Sequence, residues 1–216
     1  NRPLVTGALS GRQALTFSWI IGLVSVFWLG LLVNWLASAI SLAALLFYVL
    51  IYTMVLKRRT PQNIVWGGAA GAAPVLIGWA AVTNDVPAAA WVLFLIIFLW
   101  TPPHYWPLSI QYRDQYAKAE VPMLPVVATD LQVANSIVKY TVALVISSLF
   151  LTPWTGIFYT GVAVAAGCWF LVETLRLRTS VKQGAKASKQ AMRIFHGSIT
   201  YLSLIFLAVG IDALLH

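Results

Sequence analysis

The residues best suited to chemistry in this chain fall in three short blocks. Lys57-Arg58-Arg59-Thr60-Pro61-Gln62-Asn63 gathers three adjacent cations and a carboxamide. Trp100-Thr101-Pro102-Pro103-His104-Tyr105-Trp106-Pro107 sets one imidazole among aromatic rings and three prolines. The stretch from Gln111 to Pro125 carries two carboxylates, Asp114 and Glu120. Three cations beside a helix start, whose free N–H groups and dipole favour anions, make a cradle for phosphate or diphosphate. The same cations suit an interfacial anchor that only orients the chain in a membrane, and both accounts are open on these residues alone. Asp114 and Glu120 could hold Mg²⁺, a hard cation that takes oxygen ligands and keeps waters while bridging a substrate phosphate, or could be solvated loop charges.

What must position these blocks follows from the composition. Of 216 residues, 60% are hydrophobic and 9% charged, with a mean hydropathy of +0.83, far from the values of water-soluble domains. A bilayer offers backbone polar groups no water, so long apolar runs must be helices that satisfy their own backbones. An all-α, polytopic transmembrane bundle is the expected fold, in one domain over residues 1–216. About 20 apolar residues cross a membrane, which predicts about seven spans near 14–33, 35–56, 64–83, 88–111, 134–151, 154–174 and 192–214.

If the spans alternate in direction, all 14 basic residues fall on one face. The opposite face receives Asn34, Asn84-Asp85, the Thr152-Pro153 turn, Asp212 and His216. That asymmetry orients the basic loops toward the cytoplasm of a prokaryotic plasma membrane and accounts for the net charge of +8 without nucleic acid. Two long basic-side connections are expected, 112–133 and 175–191, the second touching anionic lipid headgroups through Arg176, Arg178, Lys182, Lys186 and Lys189. The single cysteine, Cys168, excludes an intrachain disulfide and a cysteine zinc site. Asn1 opens the sequence with no initiator Met and no signal peptide, so an N-terminal truncation is expected.

In this setting the histidine block reads as functional. Prolines break the helical ladder, and ionisable groups at membrane depth usually face a bundle interior or cavity. A Trp/Tyr belt explains the rings but not the imidazole with its prolines. His196 is placed at a depth similar to His104; two such imidazoles could ligate a haem iron from both sides or simply pack against neighbours. Gly67 and Gly71 form a small-xxx-small pair for close helix packing, and Glu173 is expected to snorkel beside Arg176.

Asn1-Arg2-Pro3-Leu4-Val5, the block from Leu56 to Val65, Trp100–Trp106, and Val121-Pro122-Met123-Leu124-Pro125-Val126-Val127, in that order, resemble the haem-farnesylating branch of the UbiA prenyltransferases. The resemblance spans the whole chain, and its Trp-Thr-Pro-Pro-His block separates the haem branch from quinone-type relatives. It implies a nine-helix fold of which this chain holds the last seven, the first Asp-rich motif lying just upstream of Asn1. It also implies transfer of farnesyl from farnesyl diphosphate to a vinyl group of protoheme IX, giving haem O and diphosphate. Haem is then a substrate, Mg²⁺ accompanies the diphosphate, membrane lipid surrounds the protein, and haem A synthase is a downstream partner.

The residues divide accordingly. Ionising an allylic diphosphate needs cations and Mg²⁺ for the departing charge, which suits Arg2, Lys57, Arg58 and Arg59 with Asp114 as the metal ligand. Asn63, Tyr112 and His196 are further substrate contacts. Tyr105, Trp106 and Trp66 are candidate walls for a carbocation, and His104 would orient haem or manage the water that completes the addition. One position departs from the family: Gln115 stands where many relatives carry an acid directly before the loop tyrosine. On a continuous helix, 111 and 115 would lie within about 20° of the His104 face and 114 about 80° away. The competing readings are a UbiA enzyme acting on a quinone precursor, and a non-catalytic haem-binding or transporter subunit. A transporter would more often show pseudo-repeats and helices broken at the midplane.

Overall fold

The computed structural model describes residues 3, 4 and 6–215, the side chain of Lys189 excepted; Arg2 lies outside them. Among these residues there are nine α-helices and no strand. Seven segments are long and apolar enough to cross a membrane, so this is a multi-pass membrane protein. The helices are α1 (Gly11–Leu32), α2 (Trp35–Leu46), α3 (Asn63–Thr83), α4 (Ala88–Gln111), α5 (Arg113–Lys118), α6 (Leu124–Val127), α7 (Asp130–Leu149), α8 (Ile157–Lys182) and α9 (Ser188–Leu215). Polar residues start them where the apolar runs begin. Ser10 and Thr129 each accept from the N–H three residues on, and Gln13 and Gln132 bond back, closing a capping box at α1 and at α7.

α4 is the hub. It packs on α3, α7 and α9, while α8 lies against α7 and α9, making a four-helix core of α4, α7, α8 and α9. Trp106, Ile137, Leu144, Tyr159, Phe170 and Tyr201 are fully buried in it. From α3 the chain of contacts leads outward to α2 and then α1, in which only Gly30 is buried. An added Cβ at Gly30 would meet the Trp35 ring at 2.5 Å, so this glycine lets α1 and α2 meet closely.

Cross-links at the two ends confirm the alternation of the spans. At one end Asn34 Nδ2 donates to Ala80 O at 2.8 Å, and Asp212 accepts from the backbone N–H groups of Gly156 and Tyr159 at the start of α8. At the basic end Arg113 pairs with Asp130, and Arg178 Nε donates to Asn135 Oδ1 at 2.8 Å.

Four expectations change. The connection expected over 175–191 is mostly helix, since α8 runs to Lys182 and α9 begins at Ser188. Glu173 does not snorkel: it is 3% exposed and accepts from Arg176 Nη1 at 2.7 Å, Arg193 Nη2 at 3.0 Å and Gln190 Nε2 at 3.3 Å, tying α8 to α9. A buried carboxylate needs that many donors to offset its lost hydration. Lys139 lies nine residues inside α7 rather than at its end, about 13.5 Å along the axis, so its exposed side chain must reach back toward the interface. Finally, α4 continues unbroken through Pro102, Pro103 and Pro107, all three buried. Membrane helices tolerate proline where neighbouring helices and hydroxyls support the backbone. Here Thr101 Oγ1 bonds Ile97 O at 3.0 Å, Ser109 Oγ bonds Tyr105 O at 2.7 Å, and Trp100 Nε1 reaches across to Ser198 O of α9 at 2.7 Å.

Candidate active site

One local departure from α geometry shapes the site. After Leu46, α2 widens into a π-helix, Phe47–Leu56, in which the Lys57 N–H donates to Tyr52 O at 2.8 Å and Thr53 Oγ1 bonds Tyr48 O, five residues back, at 2.8 Å. The wide turn brings Tyr48, Tyr52 and Lys57 to one wall. π-Turns are rare and cluster at functional sites.

That wall closes a cavity of about 440 Å³ with Asn63, Ile64, Gly67, Gly68 and Gly71 of α3, Ile97, Trp100, Thr101 and Tyr105 of α4, and Tyr116, Val121 and Met123 of the following segment. Its glycines differ in purpose. A Cβ at Gly67 would meet the Tyr52 ring at 2.6 Å, and one at Gly68 would meet Thr101 Oγ1 at 2.8 Å. Gly71 has nothing within 4 Å and opens onto the cavity. The close-packing pair is therefore Gly67 with Gly68, each facing a different helix, rather than Gly67 with Gly71. From Asn63 to Gly71 the cavity follows α3 for about 12 Å, from the basic end toward the middle of the span.

At the basic end the polar groups converge. Asn63 is 1% exposed; its Nδ2 donates to Lys57 O at 3.3 Å, which leaves Oδ1 buried with no partner. An orphaned buried acceptor costs about 1–3 kcal/mol unless something donates to it or a cation binds it. Burial, and then the neighbouring Tyr105, push the Tyr116 phenol upward from its ordinary pKa, so it remains a protonated donor. Arg58 and Arg59 are exposed in the turn that follows and do not line the cavity.

α4 ends at Gln111 and the backbone turns at Tyr112, so the helix phase reckoned from His104 does not carry into the loop. α5 restarts at Arg113 and sends Tyr116 to the cavity. Asp114, in the first turn of α5, is exposed and about 200° around that helix from Tyr116. Tyr112 is exposed at the turn. Trp66 and Trp106 do not form walls. Each is about 100° around its helix from a lining residue, Gly67 or Tyr105. Trp66 is 52% exposed on the outer face of α3, whereas Trp106 sits in the core edge-on to Tyr140 of α7, ring centroids 5.3 Å apart.

His104 faces α9. Its ring stacks between Trp100, at 4.1 Å, and Phe195, at 4.7 Å, and Nδ1 lies 2.8 Å from Ser198 Oγ. His196 is exposed on α9 and its Nδ1 bonds Met192 O at 2.8 Å; Phe195 contacts both imidazoles. Sequence reasoning missed Tyr48, Tyr52, Tyr116 and Ser198. The four-residue spacing of Tyr48 and Tyr52 was a visible signal for one shared face.

The description of the UbiA prenyltransferase family matches residues 1–199. The chain belongs to that family. It is 58% identical to a protein named protoheme IX farnesyltransferase from Clavibacter sepedonicus, over all of this chain and 70% of that one. A protein of the same name from Streptomyces avermitilis is 54% identical, over all of this chain and 72% of the relative. A solved structure from work on digeranylgeranylglyceryl phosphate synthase in membranes superposes with a TM-score of 0.76 at 20% identity, covering 99% of this chain and 74% of the other, and shows the shared UbiA fold. In this UbiA-family chain, a glycine-lined cavity meets a cation and a buried free acceptor at one membrane face.

Proposed function

We propose that this chain transfers a farnesyl group from farnesyl diphosphate to a vinyl group of protoheme IX, releasing diphosphate and giving haem O. The observation that carries the reading is the cavity, basic and polar at Lys57, Asn63 and Tyr116 and glycine- and aromatic-lined beyond. It joins a prenyl-sized channel to a diphosphate-binding end, in a chain whose relatives bear the name protoheme IX farnesyltransferase.

The residues divide the work by position. Lys57 neutralises the diphosphate, and the Tyr116 hydroxyl donates to it as charge builds on the leaving oxygen. Arg58 and Arg59, exposed in the turn beside the cavity, draw the anion toward this end. Mg²⁺ would supply further charge neutralisation on the diphosphate. A hard cation of this kind takes oxygen ligands and keeps waters while bridging a substrate phosphate. Asn63 Oδ1 is the oxygen the cavity offers it, and Asp114 the carboxylate closest in sequence to the lining tyrosine.

As the bond from farnesyl C1 to the diphosphate oxygen breaks, the rings of Tyr48, Tyr52, Trp100 and Tyr105 stabilise the allylic cation. C1 then bonds to the terminal vinyl carbon. The inner vinyl carbon takes up the oxygen of a water, and that water loses one proton. His104 does not line the cavity but stacks on the lining residue Trp100 from the α4–α9 side, and it is the base we assign to that proton. The basic end faces the cytoplasm of a plasma membrane, and haem A synthase in the same membrane would consume the product.

Purified protein in lipid, given farnesyl diphosphate, haemin and Mg²⁺, is expected to form haem O, read by chromatography and mass. Prenylation of a quinone precursor with haem left unchanged would overturn the reading.

A further inference from the structure

We infer that Ser198 is a positioning residue that holds neutral His104 in the tautomer protonated on Nδ1, so that Nε2 presents a lone pair to the reacting water. The inference rests on the proposed haem farnesylation and adds to it a residue and a protonation pattern.

The argument is a count of protons. Ser198 is fully buried on α9. Its hydroxyl has one hydrogen, and Oγ lies 2.6 Å from Phe195 O, three residues back on the same helix. A carbonyl can only accept, so the hydroxyl proton is spent there. Oγ is also 2.8 Å from His104 Nδ1. With its proton committed, Oγ meets the imidazole as an acceptor, and Nδ1 must be the donor. In a neutral imidazole one nitrogen is the donor and the other the acceptor, and the bond made by one decides the role of the other. Nε2 is then unprotonated.

The surroundings hold this orientation. Trp100 and Phe195 cover the two ring faces, and Tyr105 meets the ring edge-on with centroids 5.0 Å apart. Trp100 is itself fastened by its Nε1 bond to the carbonyl of Ser198. One residue of α9 therefore fixes both the imidazole, through its hydroxyl, and the indole stacked on it, through its carbonyl. Rotation about the Cβ–Cγ bond would break the Nδ1 bond and the stacking together. An imidazole held in this way is suited to accepting a proton at Nε2. When water adds to the inner vinyl carbon, its oxygen forms the new C–O bond and its departing proton goes to that nitrogen. The imidazolium so formed keeps its Nδ1–H bond to Ser198 and later returns the proton to solvent.

The test uses protein reconstituted in lipid and labelled with ¹⁵N-histidine. The signals of His104 are assigned by their loss in His104→Gln, which separates them from His196 and His216. The expected wild-type spectrum has a protonated Nδ1 and an unprotonated Nε2. Ser198→Ala should populate the opposite tautomer and lower kcat for haem O formation about tenfold, with KM for farnesyl diphosphate unchanged. Ser198→Thr, which keeps the hydroxyl, should restore both. An unprotonated Nδ1 in the wild type, or a Ser198→Ala protein that loses activity with its ¹⁵N pattern intact, would overturn the assignment. The tautomer is read without turnover, so absence of haem O in the wild type would count against the proposed reaction and leave the spectral result standing on its own.

Discussion

The backbone N–H of Lys57 donates to the carbonyl of Tyr52, five residues back, at 2.8 Å. In an α-helix the partner would be Thr53, and the lysine would be turned away from the tyrosine wall. The π-turn is what gives the cavity its cation.

Lys57→Ala should therefore raise KM for farnesyl diphosphate about 10- to 100-fold, the worth of one charge-assisted hydrogen bond of about 1.5–3 kcal/mol. Arg58→Ala and Arg59→Ala, both exposed, should cost less than about 5-fold each through weaker steering, an effect that fades as salt is added. Steady-state kinetics on the three variants decide; equal losses would mean the cavity is not where the diphosphate sits.

The span count, the basic end and the histidine block were legible because hydropathy and charge are linear properties of the chain. The wall of the cavity was not. Tyr48 and Tyr52 belong to an unbroken apolar run whose widening to π geometry leaves no mark in residue type. Tyr116 reaches the cavity only because the chain turns at Tyr112, and Trp106 misses it by one helical step. Glu173 was misplaced because its partners Gln190 and Arg193 come from α9, beyond any local spacing.

The glycines of α3 should separate packing from capacity. Gly68→Ala places a methyl 2.9 Å from Thr101 Cβ, which has no freedom to yield, and should lower stability by about 1–3 kcal/mol. Gly71→Ala should leave the melting temperature unchanged. Gly71→Phe, which fills the channel, should abolish use of farnesyl diphosphate while a shorter prenyl diphosphate is still accepted. Thermal unfolding in detergent and turnover with two chain lengths check all three.

Glu173→Ala should loosen the α8–α9 seam. The carboxylate accepts from three side chains, two of them arginines more than half exposed. Because water screens those cations, the expected loss is about 1–3 kcal/mol, seen as a lower melting temperature with KM for farnesyl diphosphate unchanged. A stable Glu173→Ala protein would mean that apolar packing alone holds this seam.

Asp114→Asn should raise the Mg²⁺ concentration needed for half-maximal haem O formation, and Gln115→Asp should leave it unchanged or lower it, since a carboxamide carries no charge for the ion. An active Asp114→Asn protein with the wild-type Mg²⁺ dependence would remove this residue from the site.

The cavity itself is tested most directly by an experimental structure of the protein in lipid with farnesyl thiodiphosphate, which ionises slowly. The thiodiphosphate should lie against Lys57 and the Tyr116 hydroxyl, with Asn63 Oδ1 facing its accompanying cation, the prenyl chain running past Gly67 and Gly71 and C1 beneath the rings of Tyr52 and Tyr105. Density for the ligand in the apolar groove between α1 and α2, lined by Trp19, Leu23 and Leu46, with the α3–α4 cavity empty, would contradict the account.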